Sequence, residues 1–193
     1  MRKIILASKS KARQKLLKQM GIPFRVSKSR IKESSSTSAG KNPSHLVKNN
    51  ALRKAQDVAA RTSSGIVIAA DTVVSAEGKI IGKPKNIADA FFTIKLLTRK
   101  PQWVYTGLAV IDIDRQNTYI THEKTKIYMY PLTDRQIRRY LRNTSPLDKA
   151  GSFDIQGRGG IFIDRIEGCF YNVVGLPLAK LARILTKIGI EIF

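Results

Sequence analysis

Acidic residues are scarce in this 193-residue chain. Fourteen Asp and Glu stand against 35 Lys and Arg, which leaves a formal net charge of +21. A field of that sign draws polyanions: nucleic acid, an anionic membrane or phosphorylated small molecules. It does not choose among them, and it serves solubility alone equally well, because the lysines are spread along the whole chain with no basic tail. Cysteine is nearly absent. The single Cys169 rules out an intrachain disulfide and suits a reducing compartment, so a cytoplasmic location is expected. The two histidines, His45 and His122, give no zinc-site spacing with that cysteine. Both are expected at the surface, and Cys169 as a packed thiol. No apolar run is long enough to span a bilayer. The run Ile4-Ile5-Leu6-Ala7 is too short for a signal peptide and leads directly into a basic helix. The glycine motifs of the P-loop, of the dinucleotide fold and of the nucleophile elbow are all missing. "GRGG" at 157–160 fits a tight turn as well as a phosphate cradle. A covalent serine or cysteine nucleophile with a histidine base therefore has little support. An enzyme acting on phosphates with this composition should use carboxylates with Mg²⁺ or Mn²⁺, plus lysine and arginine.

What is present is an interleaved pattern of strands and helices. Residues 3–7 read as a buried strand. Ser10 is a plausible N-cap for a helix over Lys11 to Met20, with Ala12, Leu16, Leu17 and Met20 at helical spacing and Gly21 closing it. "FRVSKS" reads as a second strand, and residues 33–44 as a polar loop with a tendency to disorder. Ser44 is expected to cap a longer helix whose apolar face is Val47, Ala51, Ala55, Val58 and Ala59. "GIVIAADTVVSAEGKIIG" predicts a continuous apolar strand and a hairpin turning at Glu77-Gly78. A helix over 88–99 should turn Phe91, Phe92, Leu96 and Leu97 inward. "WVYTGLAVIDID" and "NTYITHEKTKIYMY" predict an antiparallel pair. Thr133 with Gln136 forms a capping-box signal. "GGIFIDRIEG" and "YNVVG" read as short strands, and a last helix near Leu176-Pro177 carries Leu178, Leu181, Leu185 and Ile188. The whole predicts an α/β protein with a mixed sheet.

Because carboxylates are few, their positions are informative. Asp71 follows "IVIAA" at the end of an apolar strand, where ligands sit in open α/β sheets. A lone Asp there is usually a turn former or helix cap, but Thr72-Val73-Val74 continues the strand. Lys83, in "IIGKPK", lies on the same hairpin as Asp71. Glu33 stands at the edge of the serine-rich loop, where solvation is the default. The stretch "IILASKSKARQKLL" hands a strand over to a helix through two serines, leaving free N–H groups and a positive dipole suited to an anion.

Taken together, "LASKSKARQKLL", "AADTVV", "GKP", "VYTGLAV", "PLDKAGSFDIQGRGG" and "GLPLAKL" resemble, in order, the signature segments of the Maf family of nucleoside triphosphate pyrophosphatases. The resemblance runs from residue 4 to residue 181. It implies one Maf-like domain over 1–193: an elongated, Maf/ITPase-like mixed sheet flanked by helices, with two lobes around a central cleft. It implies hydrolysis of a nucleoside triphosphate to the monophosphate and diphosphate, a divalent cation (Mg²⁺ or Mn²⁺) and frequently a homodimer. Asp71 matches the family's catalytic carboxylate, and Glu33 an acidic position that would share a metal with it. Ser8, Arg13, Lys54 and Lys83 match phosphate-binding positions. Ala12, Thr72 and Gln156 fall at three positions tied to substrate choice. Thr72 and Gln156 match the branch acting on dTTP and UTP. Ala12 departs from the family's arginine and favours no branch, and neighbouring lysines cannot form arginine's planar fork.

The expectation is therefore a dTTP and UTP pyrophosphatase. An enzyme acting on 7-methyl-GTP or on a broad set of non-standard nucleotides is the alternative within the class, together with a Maf-like chain weakened by Ala12. The rival from another class is a basic nucleic-acid-binding protein without turnover. It lacks an aromatic-rich RNA motif or a single basic stripe in sequence, and nucleic acid remains an open partner beside a nucleotide substrate.

Overall fold

Strand β3 (Ile66–Ala76) lies at the centre of the sheet. Its first half is apolar on both faces, as a strand covered by helices on both sides must be. In the computed structural model, which describes residues 2–33 and 42–192, β3 takes β1 (Ile4–Leu6) on one side and β5 (Gln102–Asp112) on the other. The strand order is β2-β1-β3-β5-β6-β7, with β2 at Arg25–Val26, β6 at Asn117–Met129 and β7 at Ile163–Glu167. Strand β4 (Lys79–Ile81) folds back on the far end of β3. β1 pairs in parallel with β2 and β3, and the remaining pairs are antiparallel. The predicted mixed α/β sheet is thus observed. So is the hairpin at Glu77-Gly78, where φ values of 49° and 73° match the right-handed twist of the strands it joins.

Helices α1 (Lys11–Gln19) and α6 (Leu178–Lys187) cover one face of the sheet. Leu16, Leu17, Leu181 and Leu185 pack there on Ile4, Leu6, Ile66 and Ile68. Helix α2 (Pro43–Ala59) covers the opposite face, with Ala51, Ala55 and Val58 on Ile5, Val67 and Ala69. Further along, β3 contributes Val74 and Ala76 to a separate cluster with α3 (Ile87–Leu97) and α4 (Asp134–Arg142).

Four local expectations need correction. Helix α2 is capped by Asn42, not Ser44: the Asn42 side chain accepts from the Ser44 amide while Pro43 occupies the first turn, where its missing N–H costs nothing. Phe92 points outward, 67% exposed, because the inner stripe of α3 runs through Ala90, Phe91, Ile94 and Leu97 at three- and four-residue steps. "YNVV" is a turn of helix, α5 (Phe170–Val174), not a strand. Asn172 is anchored by donating to the Val104 carbonyl and to Thr125 Oγ1, and Gly175 ends the turn at φ 113°, so tertiary contacts override the β-branched residues. "GGIF" lies in a 3₁₀ turn at Arg158–Phe162 that precedes β7. The expected polar loop falls mostly on residues 34–41, outside the described residues. Of the histidines, His45 is exposed, while His122 and Cys169 are half-buried.

Gly107 lets α2 approach the sheet. A Cβ at that position would overlap the Val47 carbonyl and lie 2.7 Å from the Lys48 amide nitrogen, both backbone atoms of α2. Gly107→Ala should therefore lift the helix off β5 and cost about 3 kcal/mol or more. Urea denaturation of the variant against the parent checks this; an unchanged midpoint would mean that α2 can shift freely.

Candidate active site

Side chains alternate along a strand, so consecutive residues of β3 leave the sheet on opposite faces. Asp71 turns towards α2 and Thr72 towards α1. Each is the centre of one polar group.

On the α2 face, Asp71 is buried and Lys54 reaches it from the helix. Lys54 Nζ lies 2.6 Å from Asp71 Oδ1 and 2.7 Å from Glu33 Oε1, and it also donates to the Ala70 carbonyl at 3.3 Å. One ammonium thus joins two carboxylates. Lys83 adds a second, solvent-facing cation 3.9 Å from Glu33 Oε2. Partial burial pushes the Glu33 carboxyl up, but Lys54, then Lys83 and Arg13, outweigh it and hold Glu33 below its ordinary value. The other oxygen of Asp71 is also engaged: Asn50 Nδ2 donates to Oδ2 at 2.8 Å. Both carboxylate oxygens therefore have fixed donors.

Asn50 was not singled out in the sequence. Its signal is position: Asn50 and Lys54 are one helical turn apart and border the apolar stripe of Val47, Ala51 and Ala55, so both are buried polar residues in a helix that otherwise buries small apolar ones. A buried polar pair at that spacing needs partners from elsewhere in the fold.

On the opposite face, Arg13 is held at three points. Its Nε donates to the Gly175 carbonyl at 2.8 Å, Nη2 to Thr72 Oγ1 at 2.9 Å and Nη1 to Ser8 Oγ at 3.4 Å. Ser8 Oγ also accepts from the Ser10 amide, and Ser10 caps α1 by accepting from the Arg13 amide. The hydroxyl chain continues inward. Thr106 Oγ1 donates its one proton to the Asn172 carbonyl, so in the 2.9 Å contact between the threonines Thr72 is the donor and Thr106 the acceptor. Burial lowers the Arg13 pKa from its ordinary value, while Asp71 and Glu33 oppose that effect. A guanidinium remains cationic under such pressure. Ser8 and Arg13 thus meet at the start of α1, where the helix dipole favours negative charge.

The structure brings Asp71, Glu33, Lys54 and Lys83 into one group and Ser8, Arg13 and Thr72 into another. Ala12 precedes Arg13 on α1 and offers no polar atom. Gln156 is exposed, its backbone N–H donating to Asp154 Oδ1 at 3.0 Å, and among the described residues no hydrogen bond or ion pair joins it to either group. Among the described residues there is no cluster of three or more His, Cys, Asp or Glu that could cage a metal ion unaided. Asp71 and Glu33 supply two hard carboxylate groups on either side of Lys54 Nζ, oxygen donors of the kind that Mg²⁺ or Mn²⁺ takes together with phosphate oxygens and water.

The geometry can be set beside known proteins. A family model described as "Maf-like protein" matches residues 3–188. A curated protein named dTTP/UTP pyrophosphatase from Carboxydothermus hydrogenoformans is 43% identical over 187 residues, covering 97% of this chain and 99% of its own length. One of the same name from Bacillus cereus is 44% identical over 192 residues, covering 100% of this chain and 98% of its own. A crystal structure titled as a nucleoside-triphosphatase, dITP/XTP pyrophosphatase, from Mycobacterium abscessus covers 97% of this chain and 98% of its own, at 14% identity and a TM-score of 0.49.

Proposed function

The chain belongs to the Maf family, and from that premise we propose that it hydrolyses dTTP and UTP to the nucleoside monophosphate and diphosphate, using the two polar groups that meet at β3. One observation supports the chemistry: a buried carboxylate, Asp71, held by Lys54 and Asn50, lies in the middle of β3, and the next residue of that strand, Thr72, anchors the Arg13 guanidinium on the opposite face. The base preference rests on the names of the full-length relatives and on Thr72 and Gln156. Thr72 donates to Thr106 and accepts from Arg13, so its influence on substrate choice is exerted through the placing of that arginine.

In the proposed reaction a water oxygen attacks the α-phosphorus, the bond from that phosphorus to the α–β bridging oxygen breaks, and diphosphate leaves. Asp71 accepts the water's proton. Arg13 and Ser8 hold phosphate oxygens, and Lys54 and Lys83 offset charge that grows on the leaving group. Glu33 and Asp71 are the residues that would hold Mg²⁺ or Mn²⁺, which when bound neutralises phosphate charge. Residues 1–193 act as one catalytic unit in this reading, since Ser8 and Gly175 come from opposite ends of the chain to hold the same arginine. The cytoplasm, with its nucleotide pools and reduced Cys169, is the expected compartment. Among the described residues no helix is long and apolar enough to cross a membrane.

The test is diphosphate release from a panel of nucleoside triphosphates, 7-methyl-GTP included, with Mg²⁺ or Mn²⁺. Preferred turnover of dTTP and UTP is expected. Silence across the panel with folded protein would sink the proposal.

A further inference from the structure

Beyond the group around Asp71, the sheet carries a second chemistry. β5, β6 and β7 run on past the N-terminal end of α2, and one face of this extension alternates cations with aromatic rings. Trp103 of β5 pairs in register with Lys126 of β6, and Tyr105 with Lys124. Tyr128 pairs with Arg165 of β7. Lys124 and Lys126 lie 5.1 and 5.7 Å from the centre of the Trp103 ring, Lys126 lies 4.9 Å from that of Tyr128, and the Arg165 guanidinium stacks at 3.6 Å on Tyr128. The result is an unbroken ladder, Lys124–Trp103–Lys126–Tyr128–Arg165, whose rings are half-buried and whose outer cations are exposed.

The ladder lies outside the catalytic group. Asp71 occupies the row of Gly107 and His122, and the apolar cluster of Leu46, Val47, Val73 and Ile80, with Tyr105 against it, stands between. Its charge is unevenly balanced. Asp164 and Glu167 pair with Arg165 at one end, Glu167 also stands opposite Lys126 across β6 and β7, and Lys124 lies exposed beside Trp103 at the other end.

We propose that this face binds single-stranded nucleic acid, with bases stacking on Trp103 and Tyr128 and Lys124 and Lys126 on the phosphates. Half-buried aromatics interleaved with cations on an open sheet offer unpaired bases and their backbone both stacking surface and charge. Bases inside a duplex cannot reach the rings. A second copy of the chain is disfavoured as the occupant, since it would bring like charge against Lys124 and Lys126 on a protein of net charge +21. Such binding gives part of the surplus charge a use that nucleotide turnover does not need.

Trp103 is the one tryptophan, so its emission reports on this face alone. The full chain is titrated with labelled oligothymidylate, oligouridylate and a duplex of equal length at several salt concentrations, reading anisotropy and tryptophan emission. The expected result is salt-sensitive binding that quenches Trp103 and favours single strands, with the two oligomers separating DNA from RNA as the preferred form. Trp103→Ala should weaken binding about tenfold and leave dTTP turnover unchanged. Lys124→Ala with Lys126→Ala should reduce the salt slope by about 0.7 per residue. Absence of binding at low salt overturns the proposal. So does binding without quenching, equal affinity for the duplex, or full affinity in Trp103→Ala, each of which would indicate diffuse attraction to a basic protein. None of these outcomes depends on whether the chain hydrolyses nucleotides.

Discussion

Asp71→Asn is expected to leave the chain folded and to lower turnover of dTTP by about two or more orders of magnitude, the scale of a lost general base. The amide is nearly isosteric but cannot accept the proton of the attacking water. It also places an NH₂ group where a carboxylate oxygen now accepts from either Lys54 or Asn50, and two donors then face each other. Some stability is lost with the activity, so the thermal midpoint has to be measured beside the rate of diphosphate release. A folded variant with near-parental turnover would make Asp71 an anchor for Lys54 and move the proton acceptor elsewhere.

Lys54→Met should have the largest effect on stability. Methionine nearly matches the stem of lysine and removes only the charge. The Lys54 side chain is 7% exposed, as is that of Asp71, so the carboxylate is left buried without its cation. Breaking a buried pair from one side costs about 3–5 kcal/mol, much more than losing the same pair at a surface. Glu33, 44% exposed, can turn to water and adds little to that loss. At Glu33 burial favours the neutral acid, but Lys54, Lys83 and Arg13 together keep its carboxyl below the ordinary range. The stability it contributes is therefore present at neutral pH and fades on acidification through the carboxylate range. That acid-sensitive part should shrink in Lys54→Met. Denaturation of both proteins with and without Mg²⁺ gives a further readout, because removing the ammonium frees both carboxylates for the metal. A larger stabilisation by Mg²⁺ in the variant is expected. Equal stabilisation would separate Glu33 and Asp71 from metal binding.

Much of the fold was legible from periodicity. The apolar run ahead of Asp71, the Glu77-Gly78 turn, the long pair at residues 102–129 and the capping box at Thr133 each depend on neighbours close in sequence, and each is observed. The errors have different causes. Phe92 and the α2 cap were local misreadings, of the helical stripe and of Asn42 beside Pro43, whereas "YNVV" is a segment whose state was set by distant partners, since Asn172 is tied to Val104 and Thr125, far away in the chain. At the site, the scarcity of acids pointed to Asp71, and motif resemblance pointed to Glu33, Ser8, Arg13, Lys54 and Lys83. Neither route could find Asn50, which is ordinary as a sequence symbol and acquires meaning only where α2 crosses β3.

From sequence alone came the α/β class, the basic character, and the lack of zinc-site spacing, of a cysteine pair and of a P-loop motif. These follow from composition or from patterns a few residues long, whereas the residues that could handle a triphosphate came from the resemblance to the Maf family. The tertiary structure decided the rest: that Lys54 joins Asp71 to Glu33, that Arg13 is anchored by Thr72 and by Gly175, 162 residues away, and that the cations beside Trp103 form a ladder. Strand pairing and helix docking place these groups together. Gly107, by letting α2 come close to β5, sets the distance at which Asn50 and Lys54 meet Asp71.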